Sequence, residues 1–302
     1  MIKDAIRRTD RHFNVISRFK FIIKMKTQVS AQAIKRTETK VLMAEFLGLF
    51  LITYISSWAT IFQDLGEVSQ SAVALAHGLT VMTFTWFIRD ISGAHLNPAI
   101  TLSMIIIKRM GWTNSAFYIG SQFLGAIAGA ACIYIQMDGG LAAQLKDKSG
   151  LGIPMPSTAE YEISGFWSEI LGTLFVVLVF MTLVYEGKKH KSETTGGLAM
   201  CFAIYSISMT IGELSGPGLN PARALGPAIV TGKISRIQFV HFFGPIIGAA
   251  IGAVLYAAIF FDEDDDERDE LPAQSAISTG LDYNQSQSAI MQYNEAEIED
   301  LK

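Results

Sequence analysis

The chain has 302 residues, of which 50% are hydrophobic and only 17% are charged. This composition is too apolar for an ordinary water-soluble domain. The net charge of −4 hides an asymmetry, because residues 1–40 hold eleven basic and three acidic side chains while residues 262–302 hold two basic and thirteen acidic ones. The nearly neutral, apolar body at 41–261 therefore predicts a membrane domain between a basic and an acidic aqueous tail.

In chain order, six apolar stretches reach the roughly 20 residues that a helix needs to cross a membrane. They lie near 41–60, 71–88, 113–135, 166–185, 196–212 and 237–261. Two shorter runs, 97–107 and 220–231, each begin with Asn-Pro, which favours a helix start because Asn caps a helix and Pro fits its first turn. We expect both runs to form half-helices that enter the membrane and stop midway, beside a wet or protein-lined cavity.

Basic residues in the short connections predict the orientation in the membrane, since cytoplasmic loops are enriched in Lys and Arg. The basic N-terminal segment, Lys108-Arg109 and 188–191 fall on one side of a six-span chain. Lys233 and Arg236 lie on the other side and disagree with the rule. We expect an integral multi-pass membrane protein with both termini in the cytoplasm, in the plasma membrane or in an intracellular vesicle or vacuole.

An internal repeat predicts the architecture. Glu45 recurs as Glu169 at an offset of 124, and Asn97 recurs as Asn220 at an offset of 123. Each copy holds three spans and one half-helix, and an odd number of spans inverts the second copy relative to the first. The predicted fold is an all-α membrane protein, an inverted repeat of six transmembrane helices plus two re-entrant half-helices whose tips meet near the midplane. The copies extend over about 41–135 and 166–261.

Glycines also recur in register on the third span of each copy. They are four residues apart, as small residues are where two membrane helices pack closely. The positions are Gly125, Gly129, Gly248 and Gly252. We expect these glycines to serve helix packing rather than contact with a solute.

Two opposed Asn-Pro-Ala tips create a distinct environment at the membrane centre. A helix N-terminus carries partial positive charge and unpaired N–H groups, so two facing tips disfavour cations, including hydronium. We expect the side-chain oxygens of Asn97 and Asn220 to cap their helices while the amide N–H groups point into a lumen. The carbonyl groups of 93–96 and 216–219 are expected to offer acceptors to a passing solute, with glycines allowing the backbone conformation.

The segments "SGAHLNPAIT" at 92–101 and "GPGLNPARALGP" at 216–227 resemble the two signature loops of the aquaporin, or major intrinsic protein, family. The resemblance extends over 41–261 in order and spacing. It implies the fold described above, passive conduction of water or other small neutral solutes, and a homotetramer surrounded by membrane lipids. It also identifies the pore motifs as Asn97, Pro98, Ala99, Asn220, Pro221 and Ala222.

In that family four positions form a selectivity filter on the extracellular side. Spacing from the two motifs carries them over to His77, Ser208, Pro217 and Arg223. Arg223 matches the family and supplies a fixed cation that donates hydrogen bonds. His77 is similar to a plant vacuolar subgroup, and a hydrogen-bonded core histidine is the alternative. Ser208, where water channels of the family have His, and Pro217 depart from the water-channel filter.

The resemblance favours water as the main solute. Glycerol-conducting members typically have Asp directly after the filter arginine, whereas this chain has Ala224. His77 and Ser208 leave ammonia, urea and hydrogen peroxide open. Glycerol conduction, a coupled transporter and a structural membrane protein with a closed pore are further alternatives. The sequence contains no phosphate-binding glycine loop, nucleophile motif or metal cluster, so we expect no enzyme activity, no cofactor or metal, and no nucleic-acid partner.

Two carboxyl groups, those of Glu45 and Glu169, fall inside predicted spans, where ionisable side chains are usually functional. A proton relay would make the protein a coupled transporter. We favour the alternative that each carboxyl group accepts hydrogen bonds from backbone N–H groups of the neighbouring re-entrant loop and supports that loop. His95, inside the first loop, is expected to be structural as well.

The basic connection 186–195 contains the candidate gating residues His190 and Ser192, because a phosphate on Ser192 would reverse the local charge. A plain solvated loop is the alternative. Residues 10–26 are interpreted as a basic amphipathic helix at the inner leaflet or as a plug for the pore. The tail from 262 onwards is interpreted as solvated and largely disordered, with an acidic run able to pair with basic segments.

Overall fold

The computed structural model describes residues 39–137, 150–185 and 193–260. Secondary structure in these ranges is helical, with eight α-helices and no strand. The helices are α1 (Thr39–Asp64), α2 (Gln70–Ser92), α3 (Pro98–Ile106), α4 (Trp112–Gln136), α5 (Glu162–Val179), α6 (Glu193–Ser215), α7 (Pro221–Thr231) and α8 (Arg236–Ile259). A 3₁₀ turn, Ala159–Tyr161, precedes α5, and a wider π-type turn, Phe180–Tyr185, continues it. The prediction of an all-α fold is confirmed.

Six of the described helices are long and apolar enough to cross a membrane, as the sequence predicted. They are α1, α2, α4, α5 with its π-type extension, α6 and α8. The first two are longer than predicted, since α1 continues to Asp64 and α2 to Ser92. Helix α2 ends there because Gly93 adopts the left-handed conformation, with φ +84°, and donates its N–H to the carbonyl of Arg89.

The two remaining helices are the predicted half-helices. Helix α3 has nine residues and α7 has eleven. At 1.5 Å per residue their lengths are about 14 and 16 Å, roughly half of a hydrocarbon core of about 30 Å. Each begins with a proline at its first position and has an asparagine as its N-cap. Most of their residues are buried, so protein rather than lipid surrounds them.

The two copies of the repeat have equivalent helix contacts. Helix α1 packs along α4 in the first copy, and α5 packs along α8 in the second. The copies join where α2 packs along α6, and each half-helix lies against the last helix of the other copy, α3 against α8 and α7 against α4. Because each half-helix packs against the other copy, the N-termini of α3 and α7 meet face to face, which is the geometry of an inverted repeat.

The four repeated glycines lie at the α1–α4 and α5–α8 contacts. In each case an added Cβ atom would collide with, or crowd, a main-chain carbonyl group of the facing helix. The pairs are Gly125 with Phe46, Gly129 with Phe50, Gly248 with Ile170, and Gly252 with Leu174. Glycine thus lets the two helix backbones touch, and the predicted packing role is confirmed.

The described part of the connection before α5 folds back onto the helices. Leu151 is fully buried in an apolar cluster between α1 and α4. The cluster also contains Ile61, Ile133 and Met137. Gly152, with φ +77°, lies so close to the backbone of Ser57 that no side chain would fit between them. The contacts of Leu151 and Gly152 hold the following segment, 153–157, against the helix ends, where it lines a cavity.

Replacing Gly125 by leucine should destabilise the protein, because the α1–α4 contact has no room for a side chain at this position. Overpacking of this kind typically costs ~1–3 kcal/mol. Thermal unfolding of the purified full-length protein in detergent, followed by tryptophan fluorescence, should therefore begin several degrees lower. Gly120→Leu on the same helix is the matched control, since no atom lies within 4 Å of a Cβ built there. Equal unfolding temperatures for the two variants would contradict the close contact.

Candidate functional site

The two Asn-Pro-Ala segments meet tip to tip. Asn97 has an extended backbone, and its Oδ1 accepts a hydrogen bond from the N–H of Ala99 at 2.8 Å. Asn220 caps α7 in the same way, accepting from Ala222 at 3.1 Å and Arg223 at 3.3 Å. Both asparagines are buried. The side-chain oxygen of each asparagine accepts from unpaired backbone N–H groups at the start of its own helix. The amide nitrogen remains available to donate to another partner.

The amide nitrogens form a reciprocal pair of hydrogen bonds between the two copies. Asn97 Nδ2 donates to the carbonyl of Leu219 at 2.8 Å, and Asn220 Nδ2 donates to the carbonyl of Leu96 at 2.7 Å. The sequence predicted open carbonyl acceptors in these loops, and the structure instead engages one lone pair of each leucine carbonyl. The tips therefore lock each other, and one N–H of each amide remains for a solute.

The loops that lead into the tips carry backbone strain. Ala94, Leu96 and Leu219 adopt the left-handed conformation, with φ values of +53°, +51° and +52°. The sequence assigned this freedom to glycines, and Gly93 and Gly216 do adopt it, but these three residues with side chains share it. Such a conformation costs about 1–3 kcal/mol per residue, so surrounding contacts must hold the loops.

The carboxyl group of Glu45 binds the first loop. It accepts hydrogen bonds from the backbone N–H groups of His95 and Leu96, at 3.0 and 2.7 Å, and from the Ser92 hydroxyl at 2.6 Å. Gln122 on α4 adds a fourth donor at 2.8 Å. Glu45 is fully buried and all four partners donate, so its oxygens are satisfied by the loop and by the neighbouring span.

Glu169 binds the second loop with matching geometry. It accepts from the N–H groups of Gly218 and Leu219, at 2.8 and 2.7 Å, and from the Ser215 hydroxyl at 2.8 Å. The fourth neighbour differs, because His241 Nε2 lies 3.9 Å from the carboxyl group and donates to the Ser215 carbonyl at 2.8 Å. The left-handed Leu219 thus donates to a buried carboxyl group, as its counterpart in the first loop does.

Two cavities follow one another beside the tips. The larger has a volume of about 350 Å³ and is lined by α1, α2, α6, α7, the second loop and the segment 153–157. The smaller has a volume of about 30 Å³ and includes both tip asparagines, Asn97 and Asn220. His77 lines both cavities, so they lie next to each other at this side chain. The two cavities thus lie in succession beside the paired tips, and we refer to them together as the path.

Part of the wall of this path comes from one stripe on each of the two helices that join the copies. The lining residues recur every three or four positions, which places them on one face of each helix. The α2 stripe consists of Gln70, Val73, Ala74, His77, Val81 and Thr85. The α6 stripe consists of Met200, Ile204, Ser208 and Gly212. Polar residues on facing stripes of two spans indicate a lumen between the helices.

All four residues that the sequence predicted for the filter line the larger cavity: His77, Ser208, Pro217 and Arg223. They come from α2, α6, the second loop and α7. Ser208 is buried, and its hydroxyl has no protein partner among the described residues, while its carbonyl accepts from the Gln70 amide at 2.9 Å. A hydroxyl without a protein partner beside a cavity can bond a polar solute.

Arg223 is buried at the wall of the larger cavity and is held from α1. Its Nε donates to the Ser56 hydroxyl at 3.3 Å, and its Nη2 donates to the Thr60 hydroxyl at 3.2 Å. Its Nη1 has no protein partner in the ranges that the structure describes. A guanidinium that is fixed on one edge and unsatisfied on the other presents donors and positive charge to the occupant of the cavity.

Sequence reasoning did not identify Ser56, Thr60 and Gln70. Ser56 and Thr60 lie in an apolar span, where an isolated hydroxyl usually bonds its own helix. Their spacing held the signal, since residues four apart share one face of a helix. The segment 153–157 was expected only as part of an outer connection, and its role as cavity wall depends on the burial of Leu151.

His95 contacts its own loop and the smaller cavity. Its Nδ1 lies 3.2 Å from the Thr101 hydroxyl, and its ring packs against Tyr118 and edge-on against Phe180. The same side chain lines the cavity next to Asn97. His95, predicted to be structural, therefore has structural contacts and also a place on the wall of the path.

The candidate gating residues His190 and Ser192 lie outside the described residues, as do the basic segment before residue 39 and the tail after residue 260. Gating at these positions stays a prediction. Among the residues that the structure describes, no group of three His, Cys, Asp or Glu side chains is placed to hold a metal ion.

The chain is similar to a known protein family and to individual proteins in sequence and in fold. The profile of the family described as Major intrinsic protein matches residues 32–256. The lens fiber major intrinsic protein of Lithobates pipiens is 32% identical over 228 residues, which cover 74% of this chain and 81% of that protein. Aquaporin-4 of Bos taurus is 30% identical over 74% of this chain and 68% of its own length.

Two further matches extend the range of relatives. Aquaporin NIP2-1 of Oryza sativa subsp. japonica is 28% identical over 87% of this chain and 84% of its own length. The X-ray structure of the aquaglyceroporin from Plasmodium falciparum is 24% identical, covers 72% of this chain and 95% of that one, and superposes with a TM-score of 0.62. The structural match shows a shared fold.

Replacing Glu169 by glutamine should destabilise the second loop, because the glutamine amide would face N–H donors that need an acceptor. A buried group left without its hydrogen bond costs ~1–3 kcal/mol, and the same loss is expected for Glu45→Gln. Thermal unfolding of the purified full-length variants in detergent measures the effect. Glu67→Gln is the matched control, since Glu67 is exposed between α1 and α2. If all three variants unfold together, the carboxyl groups do not support the loops.

Proposed function

Because the chain belongs to the major intrinsic protein family of membrane channels, we propose that it is a passive channel that conducts water as its main solute and excludes ions and protons. Membership confirms the resemblance of the two signature loops and makes the protein a channel rather than an enzyme. Family membership alone does not identify the main solute, which depends on the size and chemistry of the path.

The observation that carries the proposal is the reciprocal pair of asparagine hydrogen bonds beside a cavity of only about 30 Å³. A water molecule needs about 10–15 Å³ of such space, so the cavity holds about two waters. The second N–H of Asn97 and of Asn220 can donate to the oxygen of a water beside the tips. Two donors in succession orient the water through its oxygen, which interrupts a chain of proton transfer.

Positive charge along the path disfavours cations. The N-termini of α3 and α7 present partial positive charge at the tips. Arg223 adds a full charge at the wall of the larger cavity. A cation that entered this buried region would lose its hydration and meet like charge, whereas a neutral solute is not repelled and has a smaller cost of desolvation.

Ser208 and His77 decide which other solutes remain candidates. Water channels of the family have His at the position of Ser208, so the smaller hydroxyl makes the larger cavity less restrictive. Ammonia, urea, hydrogen peroxide and glycerol are therefore secondary candidates. Ala224, where glycerol-conducting members typically have Asp, supports water over glycerol.

We further propose the assembly and orientation that the sequence predicted. The channel domain is 41–261, both tails are cytoplasmic, and the Arg223 side of the path faces away from the cytoplasm, because Lys and Arg concentrate in the opposite connections. Large exposed apolar side chains on the long helices offer a surface for lipids and for neighbouring subunits of a homotetramer. Examples are Phe87, Ile135 and Ile163.

Stopped-flow light scattering on proteoliposomes that contain the full-length protein tests the proposal. We expect osmotic shrinkage much faster than in protein-free vesicles, linear in the gradient, and without potassium or proton leak. Saturable or ion-coupled uptake would indicate a coupled transporter. Well-folded protein without water flux would indicate a structural membrane protein with a closed pore, and urea or glycerol influx as fast as water would change the main solute.

Removing the two hydroxyl groups that hold Arg223 should impair conduction. In Ser56→Ala/Thr60→Val the guanidinium loses both acceptors on α1 and turns towards the cavity. We expect water permeability to fall by about tenfold. A hydrogen bond to a charged group contributes about 1.5 kcal/mol, and a barrier higher by that amount slows passage about tenfold. Ser206→Ala/Thr210→Val on α6 is the matched control, with the same spacing, exposed side chains and hydroxyls that bond their own helix. Equal permeability of both double variants, at equal protein content, would show that other contacts fix Arg223.

A further inference from the structure

The duplication gives each lining residue a counterpart in the other copy, at the same offset of 123 that relates the two tip asparagines. Applied to the four predicted filter residues, this offset identifies four further positions. His77 corresponds to Met200, Ser208 to Thr85, Pro217 to Ala94, and Arg223 to Ile100. Because the copies are inverted, the counterparts belong on the opposite side of the paired tips.

The structure places all four counterparts on the wall of the smaller cavity. Each is at most 3% exposed. Between the two sets lie Val81 and Ile204, which are themselves 123 positions apart and face each other across the helix pair that joins the copies. The lining stripes of α2 and α6 therefore pass from the filter residues, through an apolar pair, to the counterparts. We name the counterparts, Thr85, Ala94, Ile100 and Met200, the inner ring.

The inner ring differs from the filter residues in chemistry and in the space beside it. Where the filter side has an imidazole and a guanidinium, the inner ring has the thioether of Met200 and the branched alkyl chain of Ile100. Val176 extends the apolar wall, and the His95 imidazole, next to Ala94, is the ionisable group on this side of the cavity. The cavity along this side has about 30 Å³, against about 350 Å³ on the filter side. The space beside the path is therefore larger and more polar at the filter end and smaller and mainly apolar at the other end.

We propose that the inner ring is the size-selecting constriction of the channel, at which Met200 and Ile100 exclude small polyols and amides such as glycerol and urea. This inference rests on the proposed function and adds the place at which solutes larger than water are rejected. Selection is then divided between two levels of the path. Arg223 acts on charge, and the inner ring acts on size and on the need for hydrogen bonds.

An apolar constriction rejects a polyol through two effects that add. A solute wider than the lumen must displace side chains that are packed at the density of a protein interior. Its hydroxyl groups must also give up hydrogen bonds that Met200 and Ile100 cannot replace, at about 1–3 kcal/mol for each unmatched group. A water molecule avoids most of this cost, because it fits the space and keeps bonds to the waters before and after it and to the asparagine amides beside the ring.

Met200→Ala and Ile100→Ala, singly and together, test the inner ring in proteoliposomes of the full-length protein. Each substitution widens the ring without adding a polar group. One methylene group in an apolar site changes selectivity by about 10- to 200-fold. We therefore expect glycerol and urea permeability to rise by at least about tenfold, with water permeability changed by less than about twofold.

Met209 supplies the matched control. It lies on the same helix, but its side chain is 41% exposed on the outer face. Met209→Ala should leave every permeability at the wild-type level. The opposite change adds a second, independent readout, since Met200→Phe should narrow the ring and lower water permeability several-fold while Met209→Phe should not.

The outcomes separate this inference from the proposed function. Unchanged rejection of glycerol and urea in Met200→Ala/Ile100→Ala, with water flux retained, would overturn the inner ring and leave the water channel intact. Wild-type protein that passes glycerol as readily as water would overturn it as well. If the alanine variants lose all flux, the phenylalanine pair decides, because equal water permeability of Met200→Phe and Met209→Phe excludes a constriction there. Wild-type protein without water flux would overturn the proposed function first.

Discussion

Hydrogen bonds from a strained loop to a buried carboxyl group hold each tip of the path. Leu96 and Leu219 keep φ near +50°, a conformation that is unfavourable for a residue with a side chain. Within a membrane their N–H groups have no water as an alternative partner, so an acceptor on an adjacent span is required. Glu45 and Glu169 supply that acceptor from equivalent positions of the two copies, each at 2.7 Å from the leucine nitrogen.

The hydrogen bond between Glu45 and Leu96 also affects the second copy of the repeat. Once Glu45 fixes the nitrogen of Leu96, the carbonyl of the same residue points at Asn220 and accepts its amide N–H. Asn220 is thereby oriented to cap α7, the half-helix that carries Arg223. A carboxyl group in the first copy thus positions a cation in the second, and Glu169 acts on Asn97 by the equivalent route. Neither copy alone could complete its tip, which gives a physical reason for the duplicated chain to act as one unit.

The scaffold features that recur in both copies could be predicted from the sequence, whereas most contacts that occur only once could not. Apolar length predicted the six spans, the Asn-Pro starts predicted the half-helices, and the constant offset between Asn97 and Asn220 predicted that their tips meet. The filter residues came from the family resemblance by their spacing from the two motifs, and the structure places all four on the wall of the larger cavity. The contacts of Arg223 with Ser56 and Thr60 could not be read in this way, since they join different copies and occur once. Strain at Leu96 was hidden for another reason, because a left-handed leucine has no signature in composition and is stable only through a tertiary contact.

The repeat also explains why the two ends of the path differ. Residues that hold the scaffold match between the copies, as the glutamates, the tip asparagines and the interhelical glycines do, because a change at one of them would break a contact that both copies need. Residues that line the lumen make no contact that both copies need, so they can differ between the copies. Arg223 corresponds to Ile100, and His77 corresponds to Met200. In a passive channel every solute must pass both levels, in either direction, so the two selections multiply. The positively charged level at Arg223 and the mainly apolar inner ring can therefore together exclude solutes that neither level would exclude alone. The range of conducted solutes can change through lumen residues while the scaffold stays the same.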